Sequence, residues 1–191
     1  MTRLKSTEIA AALSAAMAER RLVQLTTRYD DVNVRGYVTG LGPGFVMISV
    51  VNDRIWLDGV ECFRRPDIIA IEDDPRAAFV ETALARRGEV VPDAPPPVSL
   101  ASIEDLLQTA GQAFPLVTIH CEETDPDVCF IGAVQQVADG ELVMRTVSPD
   151  AEWDDDLAHY PTTDITRVSF GADYENALQL VAGAPPAGGA C

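Results

Sequence analysis

The strongest constraint on the fold is that the chain carries one pattern twice. Comparing residues 6–88 with residues 102–183, Ser6 and Glu8 recur as Ser102 and Glu104, Leu22–Val23 as Leu116–Val117, and Gly36 and Val38 as Gly132 and Val134. Further on, Gly44 recurs as Gly140, Val51 as Val147, Trp56 as Trp153, Asp67–Ile68 as Asp164–Ile165, and Gly88 as Gly183. The offset stays between 94 and 97, with two residues inserted before Gly132 and one before Trp153. A fixed offset over this length marks a repeated structural unit. The units are read as residues 1–91 and 100–183, joined by a Pro-rich linker at 92–99 that favours extended backbone. Residues 184–191, rich in Ala, Gly and Pro, form a tail too poor in large apolar side chains to pack, and disorder is expected there.

Each unit reads as a helix followed by five strands. Ser6 is expected to cap a helix running to about Arg21, and Ser102 with Asp105 forms a capping-box pattern ahead of Leu106 and Leu107. Strands are predicted at 22–28, 34–41, 45–51, 55–63 and 67–72, and again near 116–122, 128–137, 141–147, 151–159 and 165–170. The turns between them carry Asp30–Asp31, the run Gly40 to Gly44, Asn52–Asp53, Arg65–Pro66–Asp67 and Asp139–Gly140. Short closing helices follow, with Phe79 and Leu84 expected on the apolar side of one and Tyr174 and Leu178 anchoring the other. Gly36 and Gly132 fall inside strands, where a missing side chain permits a sharp bend.

A helix and five short strands with these motifs resemble the Sm-like (Lsm/Hfq-type) family, and more loosely any SH3-like barrel. The residues that carry the resemblance are Gly36 to Gly40 with Phe45 to Ile48, and the apolar pairs Ile68/Ile71 and Ile165/Val168. The expected fold class is therefore mainly β with flanking helices, as two tandem helix-plus-five-stranded Sm-like or SH3-like barrels packed as a pseudo-dimer. The resemblance implies RNA binding and ring assembly through outer strands. The RNA-reading residues of the family are not kept, however. Gly44 and Ile48, and Gly140 and Met144, stand where its Asp and Asn would be. Arg64 matches its Arg, but Arg65 replaces the following Gly, and Pro161–Thr162 stand there in the second unit. Ile and Met cannot read a base edge.

Charge points the same way. The formal net charge is −16, and residues 92–191 hold 17 acidic residues against 2 basic ones. Such a half repels nucleic acid and anionic lipid. The basic residues gather in the first unit, and Arg20, Arg21, Arg28, Arg35, Arg64 and Arg65 form a candidate interaction face for an acidic partner, the second unit included.

No catalytic set is legible. The Gly40-x-Gly42-x-Gly44 run precedes a strand, whereas a phosphate loop needs a helix start. His120, Cys121, Cys129 and His159 are the only candidate soft-metal set, and adjacent strand residues such as His120 and Cys121 point to opposite faces. The acidic run Asp154–Asp155–Asp156, with Asp150 and Glu152, lacks the spacing of a calcium loop. Asp67 and Asp164 are read as turn caps. No cofactor is expected. Cys62, Cys121, Cys129 and Cys191 have no Cys-x-x-Cys spacing and read as reduced thiols, which places the chain in the cytoplasm. The apolar run Ile9–Ala18 has features of a signal peptide, but Glu8 interrupts its approach and a helix is expected instead. A single lysine, Lys5, against 13 arginines suggests a bacterial composition. The expectation is a non-enzymatic interaction or scaffold protein with a protein partner or self-association, without nucleic acid or membrane. The alternatives are RNA binding through the first-unit arginines, or an enzyme holding a small ligand or metal.

Overall fold

A computed structural model describes residues 5–29, 33–91 and 95–186. The expected turn at Asp30–Asp31, the linker residues 92–94, the tail beyond 186 and Cys191 lie outside the described residues.

The first half runs α1 (Ser6–Glu19), β1 (Leu22–Thr27), β2 (Val34–Leu41), β3 (Phe45–Val51), β4 (Leu57–Arg64), β5 (Ile68–Asp73) and α2 (Ala77–Arg87). The second runs α3 (Ile103–Ala113), β6 (Val117–His120), β7 (Cys129–Ala138), β8 (Glu141–Thr146), β9 (Ala158–Pro161), β10 (Arg167–Phe170) and α4 (Asp173–Ala182). A single 3₁₀ turn precedes β5 and β10, at Arg65–Asp67 and Thr162–Asp164.

Two separate closed barrels are not what forms. All ten strands make one antiparallel sheet in the order β5-β1-β2-β3-β4-β10-β6-β7-β8-β9. In neither half does the last strand return to its own fourth strand. β4 pairs instead with β10 of the other half, Phe63 opposite Arg167, Cys62 opposite Val168, Glu61 opposite Ser169 and Val60 opposite Phe170. This pairing satisfies the outer backbone groups of two edges at once. It also brings Val60, Cys62, Val168 and Phe170 to one apolar cluster. Phe45, Met47 and Cys62 of the first half lie in that cluster with Leu106, Leu107, Ile119, Leu142 and Met144 of the second, so the larger core spans both halves. A second core beneath α1, around Leu13, Leu25, Val46, Ile48 and Ile68, belongs to the first half alone.

Within this continuous sheet the repeat is kept pair by pair. Val23 faces Gly36 as Val117 faces Gly132. The β2–β3 ladder slips between Val38 and Gly40, and the β7–β8 ladder slips between Val134 and Gln136, 96 residues later. At Gly36 a Cβ would sit 2.3 Å from the Ser49 carbonyl oxygen, and at Gly132 it would sit 2.3 Å from that of Arg145. Both glycines are therefore required by close approach of the next strand.

The pairing of the tryptophans needs correction. Leu57 bridges Val51 and Trp153 bridges Val147, while Ile55 and Ala151 share positive φ values of 62° and 61°. Trp153 thus stands where Leu57 does, and the one-residue insertion falls after it. Trp56 is 40 % exposed under Arg87, whose guanidinium lies 4.5 Å from the ring centroid.

Other differences are local. β9 begins at Ala158 rather than 151, because Ser148 to Asp156 form a loop closed by the Ser148 N–H donating to the Glu152 carbonyl at 2.8 Å. Ser102 accepts from the Asp105 N–H at 3.0 Å as its pattern predicts. At α1 the cap position falls on Lys5, whose N–H donates to Glu8 at 2.7 Å, so Ser6 is already helical. α2 buries Val80 and Leu84 and leaves Phe79 exposed; α4 buries Glu175 and Leu178 and leaves Tyr174 exposed. No helix among the described residues is long and apolar enough to cross a membrane.

Candidate functional site

Each of the six arginines proposed as an interaction face makes contacts within the chain. Arg20 donates to the Val91 carbonyl and Arg65 to that of Gly42. Arg21 pairs with Asp73 and Glu19. Arg35 meets the buried Asp74 at 2.5 Å. Burial opposes ionisation of Asp74, yet hydrogen bonds from Arg35, Gln24 and the Arg76 N–H outweigh it and hold its carboxyl below the usual range. Arg28 and Arg64 converge on Asp67, which is buried at the 3₁₀ turn. Arg64 also reaches across to the second half, to Glu123 at 2.7 Å, where the Tyr29 hydroxyl donates to the same carboxylate oxygen at 2.6 Å. Burial and the hydrogen bond to Glu123 raise the Tyr29 phenol to about 12.

The metal candidates are likewise dispersed in role. His120 lies on β6 with its Nδ1 3.2 Å from Arg167, and burial followed by that positive charge lowers it to about 3, so it is neutral. His159 lies on β9 against Glu141 at 3.0 Å. Burial raises the thiols of Cys62, Cys121 and Cys129, which keeps them protonated and poorly nucleophilic. Among the described residues no group of three or more His, Cys, Asp or Glu is arranged to hold a metal ion. In the acidic run, Asp154 accepts from Thr146 at 2.6 Å and Arg145 ties down the carbonyls of Asp154 and Asp155. The glycine run is a strand turn into which Leu100 packs: a Cβ on Gly42 would lie 2.1 Å from the Leu100 carbonyl oxygen.

A polar seam lies at the β4–β10 junction, where no sequence motif marks it. Arg167 sits over the Phe63 ring at 5.7 Å, 2.9 Å from Glu122 and 3.6 Å from Glu61. Thr118 donates to Glu175 at 2.7 Å nearby. Burial, with Glu122 and Glu175 close by, raises the Glu61 carboxyl although Arg167 opposes the shift. One sequence signal marks this seam. By the strand register, Arg167 stands where the first half has Ala70, and Glu61 stands where the second has Ala158. The halves diverge where they face each other.

Beside the seam, Leu57, Val60, Phe114 and Phe170 line an apolar cleft of about 340 Å³ with Val90 and Pro96 at its rim. Among the described residues its lining brings no charged side chain to the space, and Ser49 supplies its one hydroxyl.

The outer strands are the remaining feature. Among the described residues β5 pairs only with β1, and β9 only with β8. The Thr162 N–H donates to the Gly140 carbonyl. Alternation along the ladder then points the Ala158 and Tyr160 N–H groups at β8, and those of Leu157 and His159 away from it. Leu157 and His159 are exposed. No known protein family, curated protein or solved structure matches the chain.

Proposed function

We propose that the chain is a non-enzymatic interaction module, a stiff strip of sheet that engages protein partners through its unpaired outer strands. The observation that carries this reading is the open outer edge of β9. Its counterpart β4 is covered by β10, whereas Leu157 and His159 present backbone groups to solvent. Exposed strand edges bind extended chains by adding a strand.

Neither alternative has comparable support. RNA binding would need arginines aimed outward, yet Arg28, Arg35 and Arg64 are committed to Asp67, Asp74 and Glu123. An enzyme would need an activated group, yet His120 is buried against Arg167 and the thiols are held protonated.

The test removes the edge without touching the ladder. Proline for His159 deletes an outward N–H and leaves the bonds to β8. Partners recovered with the unaltered chain should be lost with His159→Pro, while its thermal unfolding stays within a few degrees. Equal recovery by both proteins refutes the reading for this edge.

A further inference from the structure

We infer that the outer edge of β9 seats an extended, arginine-bearing strand of a different protein, and not the β5 edge of a second copy. This rests on the interaction-module reading above and names the partner's chemistry.

The junction inside the chain is the template. β4 and β9 occupy the same place in the repeat, so β10 on β4 shows what a strand on this edge looks like. There Val168 lies opposite Cys62, Phe170 opposite Val60, and Arg167 opposite Phe63 with its guanidinium over the ring. By the same register the equivalents on the open edge are His159, Leu157 and Tyr160. Tyr160 keeps an aromatic ring at that place, packed on Phe130 at 4.8 Å. An arginine of the incoming strand would lie over Tyr160 as Arg167 lies over Phe63.

A second copy fits poorly for three reasons. The strand it would offer is β5, which has Ala70 where β10 has Arg167. β5 also brings Glu72 and Asp73, both exposed, to an edge preceded by Asp154, Asp155 and Asp156 and neighboured by Glu141, so like charges meet. Finally, Leu100 seats on Gly40 and Gly42 at the internal junction, and Gln136 and Ala138 stand at those positions in the second half. Each carries the Cβ whose absence lets Leu100 approach at the internal junction. The same carboxylates favour a basic strand.

The probe is a fluorescein-labelled, N-acetylated peptide in which Arg-Val-Ser-Phe is flanked by two lysines on each side, titrated into the full chain and followed by anisotropy. Saturable binding is expected, about ten-fold weaker at 500 mM than at 50 mM NaCl because the attraction is screened. A peptide with glutamate at every basic position should not bind. His159→Pro should abolish binding, and Tyr160→Leu, which keeps the apolar bulk, should weaken it several-fold. Hydrogen exchange with bound peptide should slow at Leu157 and His159. Unchanged binding by His159→Pro, or dimerisation of the chain through β5 and β9, overturns the inference. Slowed exchange along β5 alone overturns this seat while the edge-binding reading stands; no slowing at either edge overturns both.

Discussion

Truncating Phe170 to alanine should destabilise both halves together. Phe170 is fully buried, pairs with Val60 across the junction and packs on Phe114 with ring centroids 4.6 Å apart. Phe→Ala in a close-packed core costs about 3–5 kcal/mol, part of it the loss of an aromatic contact of roughly 1 kcal/mol. For a chain of this size each kcal/mol lowers Tm by about 2–4 °C, so a fall of around 10 °C is expected. The cluster holding Phe170 also holds Phe45, Met47 and Cys62 from the first half. The loss should therefore appear equally in reporters from each half. Trp56 and Trp153 supply them when each is kept alone through a Trp→Phe change at the other. Urea unfolding followed by fluorescence in the two single-tryptophan proteins should give coincident midpoints, both shifted by Phe170→Ala. A shift confined to the Trp153 reporter, or a total loss below about 1 kcal/mol, refutes the shared core.

Three further outcomes follow from the geometry. Gly132→Ala drives a Cβ to 2.3 Å from a backbone oxygen and should cost more than about 2 kcal/mol in urea unfolding, whereas Gly140→Ala, with open space around it, meets only the positive-φ penalty of about 1–2 kcal/mol. Asp74→Asn removes the buried carboxylate that pairs with half-buried Arg35 and should cost about 3 kcal/mol at pH 7. Because the Asp74 carboxyl is held low, its contribution is present above the unfolded-state value and lost as pH falls through the folded one, so the deficit of the variant should shrink in acid. Glu61 has the opposite sign: its raised carboxyl favours the folded state when protonated, and that contribution is lost as pH rises through the folded value. Glu61→Gln should therefore gain stability relative to the unaltered chain as pH rises from 5 to 8, measured by urea titration.

Much of this fold is legible in the sequence, and the part that is not has a physical cause. The repeat, most turns and most strand bounds follow from local pattern: glycines, the capping Ser102 and alternation of apolar residues are set by neighbours in the chain. Closure is not local. Whether β4 pairs with β5 or with β10 depends on which distant edge is presented to it, and both edges read as similar apolar strands. The tryptophan match fails because one conspicuous residue type outweighed the positive-φ turn that fixes the register at Ile55 and Ala151. The seam is missed because Glu61 and Arg167 look like ordinary polar positions of alternating strands. Only their mismatch with Ala158 and Ala70 in the other half marks them. The arginines of the first half are conspicuous in sequence, but the carboxylates that meet Arg28, Arg35 and Arg64 are not, because Asp67, Asp74 and Glu123 respectively lie far from them along the chain.

The most direct test is whether β4 lies beside β10 in solution. Nuclear Overhauser contacts on the isotope-labelled chain should connect residues 60–63 with residues 167–170 in antiparallel register, Cys62 with Val168 at the centre. Contacts between β4 and β5, or between β9 and β10, with none across the halves, would mean that each half closes on itself and would contradict the continuous sheet.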